Sequence, residues 1–206
     1  MTKSLYEKLY DKHEELERSH AWKARKNGND IVVSVMDDKK GGPTFLRMET
    51  TLSCKASQCM NYTVMEFLAH QKEWNHTFAE GRIVEQLDEN NWITYAAYAS
   101  VWPVKPRDFV YQVAIGKKED GTLLEFAEVV EHADCPDRAG YVRADICFSS
   151  KSIQDLEEKS CRYIAIWQTD LRGWMNSRMI LPALVNNFYK EGLLLKNHFK
   201  SYAELE

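Results

Sequence analysis

The amino-acid sequence predicts an α+β fold in which a curved antiparallel β-sheet wraps around a long C-terminal helix. Two observations carry this reading. Six stretches of β character follow one another between Gly81 and Thr169, separated by turn residues and by no helical crossover, so the strands pair antiparallel. From Leu181 onward, Val185, Phe188, Gly192, Leu195 and Phe199 recur in steps of four and three, the apolar stripe of one long helix.

In chain order, residues 4–20 carry Leu5, Tyr6, Leu9, Tyr10, His13 and Leu16 at helical spacing, with charges on the other face, and read as an amphipathic helix. Residues 31–36 are a β-branched run. After the turn at Gly41, Gly42 and Pro43, residues 45–50 alternate with period two, completing a hairpin. Helical spacing returns in residues 57–78 through Cys59, Tyr62, Val64, Met65, Phe67, Leu68 and Trp74, read as two short helices broken near residues 69–71. The six strands are residues 81–87, 92–102, 109–115, 122–131, 141–148 and 161–169. Pro182 removes a backbone donor in the first turns of the last helix, which predicts a kink or a late start. The expected order is helix, two strands, two helices, six strands, long helix, within a single domain over residues 1–206.

Composition narrows the function. With 27 basic against 31 acidic residues and a net charge of −4, the chain lacks the electrostatic footprint of a nucleic-acid binder. No run approaches the ~20 apolar residues of a membrane span, and the N-terminus is too densely charged for a signal peptide. Five cysteines with no C-x-x-C pair argue against a disulfide framework and against a four-thiolate zinc site, so a reducing, cytoplasmic setting is expected. Neither G-x-S-x-G, G-x-G-x-x-G nor the P-loop motif occurs. The 24 aromatic residues, 12% of the chain, need a core, an interface or an enclosed ligand.

The run C-R-Y-I-A-I-W-Q-T-D-L-R-G-W from Cys161 resembles the strand-to-helix signature of START (steroidogenic acute regulatory protein-related lipid transfer) domains. The runs V-W-P from Val101, P-R-D-F-V-Y from Pro106 and G-Y-V-R-A from Gly140 match the same family in order and spacing. The resemblance covers about residues 22–202. It implies a helix-grip fold whose sheet and last helix enclose a tunnel for one lipid, carried between membranes without covalent chemistry.

The resemblance also implies a head-group preference. The arginine of sterol carriers falls on Val113, and its acidic partner is missing from Thr94, Tyr95 and Ala96. The charged pair of phosphatidylcholine carriers falls on Gln71 and Asn75, beside Trp74. The polar residues of the ceramide carrier fall on Asn75, Ala96 and Ala127, of which one is polar. A phospholipid or ceramide-like lipid is expected over a sterol, anchored through Gln71, Asn75, Tyr98 and Tyr111.

With Ala96 and Val113 facing inward, as the resemblance implies, strand parity adds Thr94, Tyr98, Phe109 and Tyr111 to the lining. The same carry-over turns Val142, Ala144, Ile146 and Phe148 inward on the next-to-last strand, and Trp167, Thr169 and Leu171 on the last. Ala127, Leu184 and Phe188 complete the set. Trp102, on the stiff loop with Pro103, Val104 and Pro106, is the expected membrane-inserting residue, and this loop and the Pro182 helix start are expected to part as a gate. The expected partners are a lipid and, transiently, a membrane surface, with a monomeric chain and no cofactor.

Other groups carry less. Cys54 and Cys59 with His70 and His76 lack the spacing of a metal site. His132, Asp134 and Asp137 fall in a loop, and Arg107, Asp108, Arg143 and Asp145 read as structural. A cyclase or thioesterase-like enzyme of the same superfamily needs paired titratable groups in the pocket, for which Glu125 and Glu131 are the candidates. A lipid sensor acting on a protein partner needs an apolar patch outside the tunnel mouth.

Overall fold

The structure, a computed structural model, describes residues 4–75, 77–100, 104–157, 159–173 and 177–203, without the side chains of residues 74, 177, 178, 202 and 203. Helix α1, Leu5–Arg18, opens with a capping box. The Ser4 hydroxyl accepts the Glu7 N–H at 3.2 Å while the Glu7 carboxylate accepts the Ser4 N–H at 2.9 Å. Strand β1, Lys23–Gly28, was not expected from the sequence, because K-A-R-K-N-G shows no apolar alternation. It is an edge strand with little to bury. Asn29 and Asp30 both take positive φ, closing a two-residue turn that registers Gly28 against Ile31. Strands β2, Ile31–Met36, and β3, Phe45–Leu52, form the expected hairpin.

The helical segment breaks earlier than its spacing suggested. Helix α2, Ala56–Met60, runs into a π-helical turn, Asn61–Met65, and α3, Phe67–Trp74, follows without interruption at residues 69–71. The break falls at Glu66, whose backbone leaves the helical region. The later strands are β4, Phe78–Asp88; β5, Asn91–Tyr98; β6, Arg107–Lys117; β7, Leu123–Val129; β8, Val142–Arg143; β9, Asp145–Glu157; and β10, Ser160–Asp170. Helix α4, Ser177–Ala203, starts before Leu181 and contains Pro182.

The ten described strands form one sheet ordered β1-β2-β3-β10-β9-β7-β6-β5-β4, antiparallel throughout except that β8 lies parallel to β6. The expected strand 141–148 is therefore two elements. Val142 and Arg143 register against Arg107 and Asp108, and the chain then enters β9, which runs on to Glu157 through the polar stretch S-S-K-S. Helix α1 covers the outer face at β6 and β7, burying Leu9 and Leu16 with Phe45, Leu124, Phe126 and Phe148. Helix α4 crosses the inner face at β1, β2 and β3. Gly192 permits the approach: a methyl group there would meet Met48 Sδ at 2.7 Å and Ile31 at 3.1 Å.

Arg143 ties this architecture together from β8. Its guanidinium donates to both oxygens of Asp108, at 3.1 and 3.0 Å, and to the Cys135 carbonyl. Asp108 is 1% exposed, so removing its partner strands a buried carboxylate. Arg143→Ala is expected to lower stability by about 3–5 kcal/mol, measured by urea denaturation against the unsubstituted chain.

Candidate functional site

The inner face of the sheet and helices α3 and α4 bound a cavity of about 730 Å³, within the range of small-molecule sites. Register explains its lining. The pairs Thr94–Tyr111, Val113–Ala127 and Ala127–Ser149 place these residues opposite one another on one face. Trp167 continues that face onto β10 through its pairing with Ser149, and Leu46 onto β3. The π-turn and α3 contribute Val64, Met65, Phe67 and Leu68, and α4 contributes Ile180, Leu181, Leu184, Phe188 and Glu191. Trp167 meets Phe188 edge to face at 4.3 Å between centroids, pinning the helix to the sheet. Tyr98 stands edge-on between Phe78 and Phe109.

Of the residues expected from the sequence, Asn75, Thr94, Tyr98, Phe109, Tyr111, Val113, Ala127, Ile146, Trp167, Thr169, Leu171, Leu184 and Phe188 line this cavity, as does Val104 from the loop. Ala96 shares their face but is buried in the core cluster beneath it. Gln71 sits behind the wall, its amide N–H directed at the Tyr98 hydroxyl at 3.5 Å. Pro182 lies in α4 but outside the lining. Trp102, Pro103 and His76 lie outside the described residues, as does the side chain of Trp74.

Phe148 is a correction. It faces the outer side, in the cluster under α1, edge-on to Phe45 and beneath the Lys12 ammonium. The cause is a β-bulge: Gln168 registers with Phe148 but Thr169 with Ile146, so Cys147 is extra and parity flips across it. Ile146 and Ser149 therefore share the inner face. Val142 and Ala144 are corrected too, since Val142 belongs to β8 and Ala144 is fully buried between β8 and β9.

Three charged groups at the site were not foreseen as a set. Glu125 and Lys151 are cross-strand partners on β7 and β9, their charges 3.5 Å apart and their residues 4% and 5% exposed. Lys151 also donates to the Thr63 carbonyl at 3.2 Å and lies over the Phe67 ring. Glu125 Oε2 is buried without a hydrogen-bond partner among the described residues. Glu131, the other half of the pair weighed for catalysis, is exposed past the end of β7. Glu191 faces the cavity from α4, where burial pushes its carboxyl up to about 8, against the pull of Lys151. The Asn75 amide points to it at 3.5 Å. Its signal was present in the sequence, three residues after Phe188 and seven after Leu184, on the stripe itself.

Val104, Lys105 and the start of α4 also line the cavity; Met179 there is 78% exposed, and Met65, on the π-turn, is 47% exposed. Arg107 anchors the loop base, donating to the carbonyls of Lys105, Leu171 and Arg172 at 2.7, 2.8 and 3.2 Å. Among the described residues, no helix is long and apolar enough to cross a membrane.

The family model for the START domain matches residues 7–198. StAR-related lipid transfer protein 5 of Mus musculus is 25% identical over 177 residues, 82% of each chain. Among solved structures, human StAR-related lipid transfer protein 5 superposes with a TM-score of 0.87 at 21% identity, covering 96% of each chain. The human StarD13 lipid transfer and protein localization domain follows at TM-score 0.76 and 19% identity, covering 97% of this chain and 98% of that one. The four sequence runs, the helix gripped by a curved sheet and the match over nearly the whole length agree: this chain belongs to the START domain family.

Proposed function

We propose that this chain binds one lipid in its cavity and carries it between membranes, and that the lipid is ceramide-like. The observation that carries the binding reading is the largely apolar cavity in a chain of the START family, whose relatives include a lipid transfer protein. Each CH₂ taken from water into such a space gains about 0.8 kcal/mol, so an acyl chain supplies ample affinity.

Head-group chemistry follows from the polar atoms. A phosphate brought inside needs an unpaired cation. Of the cations on the lining, Lys151 is matched by Glu125 and Arg107 is spent on three carbonyls, while Lys105 and Lys190 are exposed, so among the described residues no unpaired cation lies buried in the cavity. The unpartnered Glu125 Oε2 calls instead for a ligand that donates, and a protonated Glu191 donates in turn. Hydroxyl and amide groups provide both donors and acceptors. This supports a ceramide-like lipid over a phospholipid, and over a sterol, whose single hydroxyl meets fewer of these groups.

Native mass spectrometry after exposure to a total lipid extract tests this reading. One ceramide-like lipid per chain is the expected result; a bound sterol or phospholipid overturns the head-group argument, and failure to take up any lipid overturns the whole. Ala127→Phe, which fills the cavity from β7, is expected to cut uptake at least about tenfold, a loss of ~1.4 kcal/mol, with the circular dichroism spectrum unchanged.

The gate is part of the same proposal. Val104 and the first turn of α4 both line the cavity, and Pro182 lacks the N–H that would bond the residue 178 carbonyl. Trp102→Ala is expected to slow lipid transfer between vesicles severalfold while leaving the bound fraction unchanged; unaltered transfer removes Trp102 from the mechanism.

Glu191 sets a pH dependence. Its folded pKa of about 8 lies above the ordinary 4.5, so the folded state holds this proton more tightly than the unfolded chain. The stabilisation is complete below about pH 4.5 and is lost as pH rises toward about 8. Glu191→Gln is therefore expected to raise the melting temperature at pH 8 by several degrees, the difference shrinking toward pH 5 in thermal melts across that range.

A further inference from the structure

Three cysteines converge where the segment after β3, helix α2 and the start of β10 meet. Cys54 follows β3, Cys59 lies in α2 and Cys161 is the second residue of β10. All three are buried. Their sulfurs lie within 4.8 Å of one another, with Cys54 and Cys161, 107 residues apart, at 3.8 Å. Sulfurs bound round one metal at about 2.3 Å stand about 4 Å apart in a trigonal plane. The fold has thus gathered a set of three thiols at ligand spacing from three separate elements.

We propose that Cys54, Cys59 and Cys161 form a trigonal thiolate site for a soft monovalent cation, Cu(I). The donor set decides the ion. Among the described residues, no imidazole or carboxylate joins the cluster. His70, weighed with Cys54 and Cys59 in the sequence, is held by Glu66 and Glu73 instead. The Asp155 carboxylate, opposite Cys161 in the β9–β10 ladder, accepts the Ala56 N–H at 2.6 Å. Structural zinc is almost always four-coordinate, and its open catalytic form keeps a water in the fourth position. A closed, buried set of three sulfurs suits neither, whereas Cu(I), one of the soft ions that thiolates select, accepts three-coordination. Binding joins the β3–α2 segment to β10, and through α2 it reaches the π-turn on the cavity wall, since the Thr63 hydroxyl donates to the Cys59 carbonyl at 2.8 Å. The site is distinct from the lipid cavity, whose lining includes none of the three cysteines.

The test uses the full reduced chain, kept anaerobic and titrated with Cu(I) as its acetonitrile complex against bathocuproine disulfonate. The expected result is one Cu retained per chain, a thiolate-to-copper charge-transfer band in the ultraviolet, and an X-ray absorption spectrum showing three sulfur neighbours at about 2.3 Å. A tenfold excess of Zn²⁺ is expected not to displace it. Cys161→Ser is expected to weaken retention at least about 100-fold, the upper end of what loss of an outer-shell partner costs. The double variant Cys135→Ser, Cys147→Ser is expected to keep it. Absence of copper from a folded chain whose five thiols all titrate after denaturation overturns the proposal, as does equal retention by Cys161→Ser, preferential zinc binding, or a Cys54–Cys161 disulfide in the purified protein. The absorption spectrum of the unsubstituted chain decides the case even where a variant fails to fold.

Discussion

Strand β10 is hydrogen-bonded along both edges, to β9 on one side and to β3 on the other, and the remainder of the molecule depends on that double ladder. The first three strands are joined by local hairpins, as are β4 through β7. Only the long-range pairing of Cys161–Trp167 with Leu46–Leu52 makes them one surface. Such contacts are costly to form because the chain between them must be closed into a loop. Once formed, they give α4 a continuous bed from Ile31 to Trp167.

The cavity is a consequence of how unevenly α4 fills that bed. At β2 and β3 the helix backbone comes in close at Gly192, over Ile31 and Met48. Toward β5, β6 and β7 the inner face carries Thr94, Val113 and Ala127, side chains too small to reach across. A close-packed interior is the usual outcome for a domain of this size. Here small residues on the sheet leave the space open, while Trp167 against Phe188 fixes the helix beside it.

Charge placement follows the same logic. Asp108 is bracketed by Arg143, and Arg107 by three carbonyls, which secures the turn between β5 and β6 without relying on the ligand. Inside, Glu125 and Lys151 neutralise each other across adjacent strands, and desolvation raises the half-buried Glu191 carboxyl to about 8, so that it keeps its proton below that pH. The interior is therefore polar in places yet close to electrically neutral, a condition under which an apolar chain and a hydroxyl or amide head can share one space.

Spacing alone determined the element types: the stripe of α4, the amphipathic α1 and the run of antiparallel strands are all legible, because periods of 3.6 and 2 mark residues that must turn one face away from water. Edge and centre were less visible. β1 carries no pattern because an edge strand buries little, and S-S-K-S in β9 carries none because its neighbours, not its own hydrophobicity, hold it in the sheet. Most of the cavity lining followed from parity, but Phe148 did not, since one extra residue at Cys147 inverts every face beyond it and a bulge is defined by the partner strand. The meetings of Glu125 with Lys151, and of Cys161 with Cys54 and Cys59, join residues far apart in the chain. Local periodicity says which way a side chain points, and only the pairing of distant strands decides what it points at.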